Sequence, residues 1–290
     1  MLMMQTELME SGLPVRKISV VWLCRNNQNY LPYLFDTLAG IEKAYRCEFE
    51  YFIAENGSTD NTCKLLSDFL YSREGRIITL GNTAKLDQLS RIERIARLRN
   101  MLLDSIRPLT SDWVLLLDTD IYFECGVLAD LFALSPSDRK IGMLCAYGTE
   151  GFPDSDGTGW RTQFHYYDTY AFLADDNRLH WPSCVFEKCE KCSSQIPDVP
   201  RIKTTGTVEV RSAFGGLALI NSQALNHAQV RWETVPLSEN TDIKWEGIPQ
   251  GEMLLCEHIY FCKMLRQTSG LSVAVACDVP VYWDFSSFQP

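Results

Sequence analysis

Between residues 17 and 117 the chain switches repeatedly between two hydrophobic periods, and that alternation leaves few folds open. Lys17 to Cys24 (KISVVWLC) is a short β-branched, apolar run, broken by Arg25-Asn26-Asn27. Apolar residues then recur at helical spacing from Leu31 to Ala44 (Leu31, Leu34, Phe35, Leu38, Ile41). Pro32 falls in the first turn, where its missing N–H is no loss. Glu48 to Ala54 reads as a second strand, Thr62 to Ser72 as a helix and Arg76 to Leu80 as a third strand. Ile92 to Ile106 follows as a strong helix and Trp113 to Leu117 as an apolar strand. Strands alternating with helices predict an α/β fold: a mostly parallel, doubly wound sheet with helices on both faces.

From about Thr149 the character changes. Gly, Asp, Pro and aromatic residues dominate GFPDSDGTGW and HYYDTY, which predicts long loops over a site rather than a second core. Regularity returns with a strand at Ala213 to Ile220, a helix at Gly251 to Leu265 and a last strand at Leu271 to Val281. The expected organisation is a flexible stretch at 1–16 and one domain at 17–290. Its halves are a nucleotide half (17–125) and a loop-rich acceptor half (126–290).

Composition narrows the class. Hydrophobic residues make up 46% and charged residues 22%, enough apolar material for a full core. A net charge of −10 argues against a nucleic-acid binder, which needs a basic footprint. Met1 to Arg16 lacks a signal-like apolar stretch, and no run is long and apolar enough to span a bilayer. The expectation is a cytoplasmic protein, or a soluble catalytic domain cut from a membrane-anchored parent. Of eleven cysteines, several lie in apolar runs and read as core residues. Cys184, Cys189 and Cys192 in SCVFEKCEKCSS stand apart, as free loop thiols, a local disulfide or a metal knot.

The chemistry starts where the fourth strand ends. VLLLDTDIYF puts Asp118 and Asp120 on a turn at the carboxyl edge of a parallel sheet, where open α/β folds bind ligands. Two carboxylates suit Mg²⁺ or Mn²⁺, which take few protein oxygens and complete their shell with substrate phosphates. Such an ion neutralises a diphosphate leaving group. The bland alternative is a solvated turn.

FIAENGSTDNT follows the second strand and opens a helix. It resembles the nucleotide-sugar-binding half of GT-A glycosyltransferases, whose second strand often ends in an acidic-acidic-Gly-Ser-Thr-Asp turn. Glu55 matches the first acid, Asn56 departs from the second, and Gly57, Ser58, Thr59 and Asp60 match. The resemblance implies a GT-A fold with Glu55, Asn56 and Gly57 at the nucleotide, beside Cys24, Arg25 and Asn26 from the first loop. Thr59 and Asp60 read equally well as helix-capping residues.

The helix RIERIARLRNMLLDSI carries Arg94 and Arg99, either of which could clamp phosphate, or form a solvated face with Glu93 paired to Arg97. ERIARLRN followed by an acidic triplet resembles the fungal capsule-associated mannosyltransferase family. That likeness extends loosely over Val20 to Phe285. In SAFGGLALI, Gly215 and Gly216 allow close approach of a ligand to the backbone. In GT-A enzymes a similar small-residue segment lies under the donor sugar. GEMLLCEHIYFCKMLR has the outline of the family's Glu-Asp segment, with Glu257 matching Glu and His258 in place of Asp. This implies a catalytic role for Glu257 or His258, as general base or positioning group, or His258 as a third metal ligand. Glu252 and Asp242 are lesser acidic candidates. Trp160, Tyr166, Tyr167, Trp181, Trp245 and Trp283 offer faces for sugar stacking, and Asp168 and Asp284 offer acceptors for hydroxyls, although such residues also serve as loop packing.

The functional expectation is transfer of a glycosyl group from a nucleotide diphosphate sugar to a carbohydrate or glycoconjugate acceptor, with Asp118 and Thr119 at the donor. A nucleotide-sugar-forming nucleotidyltransferase ranks lower, because the first loop, CRNNQNY, lacks the glycines that cradle a triphosphate. A non-catalytic carbohydrate-binding protein is the third reading.

Overall fold

A computed structural model of the chain describes residues 16–80, 86, 88–135, 140–153, 160–177, 179, 206–244 and 253–284, without the side chains of 150–153, 160–165 and 284. Among the described residues ten strands form one sheet: β1 (Arg16–Cys24), β2 (Cys47–Glu55), β3 (Gly75–Thr79), β4 (Trp113–Leu117), β5 (Ile121–Tyr122), β6 (Ile141–Pro153), β7 (Trp160–Tyr166), β8 (Thr207–Val210), β9 (Leu217–Asn221) and β10 (Ser272–Asp284). Their order is β3-β2-β1-β4-β9-β6-β10-β5, with β7 added to β6 and β8 to β10. β3, β2, β1 and β4 run parallel. β9 is antiparallel to both β4 and β6, so β6 and its parallel neighbour β10 regain the direction of β4. Only β9 and β5 reverse the direction along the main path, and the sheet is mostly parallel as the sequence predicts.

The side-chain alternation of a strand divides the core into two layers. Ile18, Val20, Trp22 and Cys24 of β1 pack with α1 (Leu31–Ala44), α2 (Thr62–Leu70) and α4 (Val127–Leu134). Val21 and Leu23 face the opposite layer, with α3 (Arg91–Ile106), α5 (Ser222–Leu225) and α6 (Glu257–Ser269). β4 repeats the division: Leu115 and Leu117 go one way, Val114 and Leu116 the other. Each such fully buried aliphatic side chain contributes roughly 1.5–3 kcal/mol.

Several boundaries differ from expectation. Arg16, assigned to the flexible start, begins β1. The strand expected from Ala213 starts only at Leu217, because Gly215 and Gly216 turn the chain with φ of +71° and +87°. The helix expected from Gly251 starts at Glu257. Before it, Leu254 bridges to Pro236, and the Leu255 N–H donates to the Val235 carbonyl at 2.9 Å. The middle of the chain is not all loop: GFP closes β6, and β7 pairs antiparallel with it. Cys184, Cys189, Cys192, Trp181, Trp245 and Glu252 lie outside the described residues, as do the side chains of Trp160 and Asp284. The eight described cysteines are free thiols.

Candidate active site

β1 and β2 end level with one another, Cys24 pairing with Glu55, and β4 ends about two residues short of them, with Val21 paired to Leu116 and Leu117 its last residue. The loops that follow therefore share one edge of the sheet. The first two are laced together. Asn26 accepts the Thr59 N–H at 2.8 Å on its side-chain oxygen, and its own N–H donates to Ser58 Oγ at 2.9 Å. The Asn27 N–H reaches Thr62 Oγ1, and the Asn61 N–H reaches the side-chain oxygen of Gln28. Asp60 spans both loops, accepting from the N–H groups of Thr62 and Gln28. Ser58, Thr59 and Asp60 thus join one loop to the other, and the sequence reading of a simple helix cap missed this role.

Glu55 is buried and accepts the Ser58 N–H on Oε1 at 2.5 Å. Burial alone would raise its pKa, but hydrogen bonds from Ser58 and Gly57 outweigh that and hold it below the usual carboxylate range. Asn56 is buried beside it. Its N–H donates to the Cys24 carbonyl at 3.0 Å, and its side-chain oxygen has no hydrogen-bond partner. Cys24 is buried, and burial pushes its thiol up to about 12, so this residue serves the loop through its carbonyl. Arg25 is exposed at the loop's rim.

The acidic triplet forms the turn between β4 and β5. The Asp118 N–H donates to the Gly216 carbonyl at 2.8 Å, which ties the triplet to the glycine pair. A Cβ on Gly216 would lie 2.8 Å from Ile121 Cγ2, and one on Gly215 would lie 2.5 Å from the Ala146 carbonyl oxygen. The glycines are required here by protein packing. Thr119 is buried. Asp120 accepts a hydrogen bond from Trp283 Nε1 at 3.2 Å, and Trp283 stacks on Tyr167 with ring centroids 5.2 Å apart. Tyr166 is buried, with its hydroxyl accepting the Phe214 N–H. Tyr166 therefore belongs to the core, and Tyr167 spends one ring face on Trp283.

Arg99 crosses 158 residues to meet Glu257, with Nη1 2.5 Å from Oε1. The same Nη1 contacts His258 Nε2, and Nη2 lies 3.3 Å from Asp118 Oδ1. The guanidinium also sits 5.1 Å from the centroid of the Phe214 ring, onto which His258 stacks. Burial, with Arg99 adding, pulls His258 well below its ordinary pKa, so the ring is neutral. Arginine can only donate, so Nε2 accepts and the ring proton sits on Nδ1, which lacks a partner. The structure thus turns His258 toward Arg99 and does not bring it to the aspartates as a third ligand. Among the described residues no group of three or more His, Cys, Asp or Glu side chains is disposed to hold a metal ion. Arg94 is five residues from Arg99 on α3, so the two leave the helix about 140° apart. Glu93, instead of pairing chiefly with Arg97, caps α3 by accepting from the N–H and hydroxyl of Ser90.

Asp118 keeps 38% of its side chain exposed at the mouth of this cluster. Desolvation pushes its pKa up to about 7, against Arg99, with the carboxylates of Asp120, Asp168 and Glu257 adding. Asp168 accepts the Gly215 N–H at 2.9 Å; burial raises its pKa despite that bond. Asp118 and Asp120 each retain one carboxylate oxygen with no hydrogen-bond partner among the described residues. Two such oxygens on a rigid turn fit a hard divalent ion whose other ligands come from phosphates and water.

The chain shares its fold with Staphylococcus aureus TarS. One TarS structure aligns with a TM-score of 0.50 and 16% identity, over 93% of this chain and 37% of that one. Another, in complex with UDP-GlcNAc, aligns with a TM-score of 0.50 and 15% identity, over 92% of this chain and 58% of that one. The chain thus spans less than two thirds of the length of these structures. No family model matches the chain. No curated protein matches it in sequence either. No helix among the described residues is long and apolar enough to cross a membrane.

Proposed function

We propose that this chain is a metal-dependent glycosyltransferase, moving a sugar from a nucleotide diphosphate sugar to a carbohydrate or glycoconjugate acceptor. The observation that carries the reading is the meeting of the Asp118–Asp120 turn, Arg99 and the Glu55–Asn56 loop at one carboxyl edge of a GT-A sheet. Glu55 and Asn56, with Arg25 and Asn26 from the first loop, bind the nucleoside. Asp118 and Asp120 hold Mn²⁺ or Mg²⁺, which when bound supplies positive charge to the departing diphosphate.

The other steps belong to the chain's own groups. Arg99 points a fixed guanidinium at Asp118 and stabilises negative charge developing on the leaving group. Glu257 and His258 are positioning residues that act through Arg99, orienting its fork from the buried side. Gly215 and Gly216 keep the backbone low beneath the donor sugar. Asp168, anchored by the Gly215 N–H, accepts from a sugar hydroxyl.

The TarS complex makes UDP-GlcNAc a first donor to try. The resemblance to the capsule-associated family adds GDP-mannose and a mannosyl product. Thermal-shift titrations with both sugars and their diphosphates, with and without Mn²⁺, test the reading. Stabilisation that requires Mn²⁺ and disappears in Asp120→Ala is expected. Stabilisation by none of the four, or one that persists in Asp120→Ala, refutes it.

A further inference from the structure

A second cavity of about 280 Å³ lies along α6, and none of the donor-site residues lines it. Its walls carry Arg211, Lys263 and Arg266, with Asn177, Asn240 and Asp242. Lys263 and Arg266 are three residues apart on α6 and share a face. Arg211 follows β8, the strand paired with β10 directly after α6.

The three cations are unequally compensated. Arg211 donates Nε–H to the Asp175 carbonyl at 3.1 Å and lies 3.4 Å from the Asp175 carboxylate. The side chains of Lys263 and Arg266 have no hydrogen bond or ion pair among the described residues. Arg266 is part-buried; desolvation and the nearby charge of Arg211 pull its pKa below the ordinary range, with Asp175 opposing. A half-buried guanidinium crowded by a second one is unfavourable unless an anion joins them. Such convergence contrasts with a chain whose net charge is −10.

Arg211 is largely met by Asp175, so Lys263 and Arg266 are the cations left facing the cavity, with Asp242 as a carboxylate on the same walls. A phosphate monoester sets one anionic group between these two cations, and a guanidinium fork matches its oxygens. The two asparagines and Asp242 offer donors and acceptors for hydroxyl groups beside the anion. We propose that this cavity binds a phosphorylated sugar or polyol, with Lys263 and Arg266 on the phosphate and Asn177, Asn240 and Asp242 on its hydroxyls. The site does not depend on the donor reading.

Isothermal titration calorimetry on the full chain tests it with glucose 6-phosphate, inorganic phosphate and glucose. Glucose 6-phosphate is expected to bind more tightly than phosphate, and glucose not at all. Arg266→Ala and Lys263→Ala should each weaken glucose 6-phosphate binding at least tenfold, while Arg97→Ala, an exposed arginine on α3, leaves it unchanged. Arg266→Lys, compared at matched melting temperature, should retain part of the affinity and so separates lost charge from lost fold. No binding of either phosphate, or binding indifferent to Arg266→Ala and Lys263→Ala, overturns the proposal. Equal affinity for inorganic phosphate and glucose 6-phosphate overturns the hydroxyl contacts.

Discussion

Replacing Arg99 by Met should be one of the most damaging single changes at the site, for reasons of charge rather than volume. Arg99 is 7% exposed and Glu257 is 5% exposed. Removing the guanidinium strands a buried carboxylate, and breaking such a pair from one side costs about 3–5 kcal/mol. Loss of the contact with Phe214 adds about 0.5–1 kcal/mol. The Asp118 contact adds little, because that side chain is partly in water. A total of about 3.5–6 kcal/mol is a large fraction of the roughly 5–15 kcal/mol that holds a domain folded. At about 2 °C per kcal/mol for a chain of this length, melting should fall by roughly 7–12 °C. Urea unfolding of Arg99→Met, Glu257→Gln and the double variant measures the coupling. The double variant should recover about 2 kcal/mol of the sum of the single losses, since no charge is then stranded. A single-variant loss below about 1 kcal/mol, or strictly additive losses, would refute the view that Glu257 depends on Arg99.

Three further expectations follow from the same edge of the sheet. Gly216→Ala forces a Cβ against Ile121 at a φ of +87° and should cost about 1–3 kcal/mol in thermal unfolding, while loosening the backbone that holds Asp118. Trp283→Phe keeps the stack on Tyr167 but removes the Nε1–H bond to Asp120; Mn²⁺-dependent nucleotide binding should weaken severalfold with melting nearly unchanged, and an unaltered affinity would count against a metal role for Asp120. Glu55 has a lowered folded-state pKa, so its stabilisation is fully present above about pH 4.5 and is lost as pH falls through the lower folded value; Glu55→Gln should remove that part of the acid dependence of the unfolding free energy.

Some of this was legible in local sequence. α1 and β4 fall where periodicity puts them, because each is specified by its own apolar pattern and flanking breakers. β6 and β7 escaped notice: Gly142, Gly148 and Gly151 interrupt the pattern of β6, and the two strands are fixed by pairing with each other and, for β6, with β10. The lacing of Asn26 and Asn27 to Ser58, Thr59 and Thr62 was equally invisible, since polar residues in two loops carry no periodic signal. The sequence placed Glu257 and His258 inside a helix begun at Gly251 and suggested for them a general base, a positioning group or a metal ligand. It held no sign that both would be engaged by Arg99.

By itself, then, the sequence determined the α/β class, the strand–helix order of the first half, and the acidic turn at the carboxyl end of β4. Those features rest on residues near one another in the chain, where hydrophobic period and turn chemistry act. Tertiary structure alone decided that β9 enters the sheet reversed between β4 and β6, that Gly216 supports Asp118, and that Arg99 joins Asp118 to Glu257 and His258. Each of those depends on groups about 20 to 160 residues apart, and burial makes the contacts obligatory only after the sheet has brought them together.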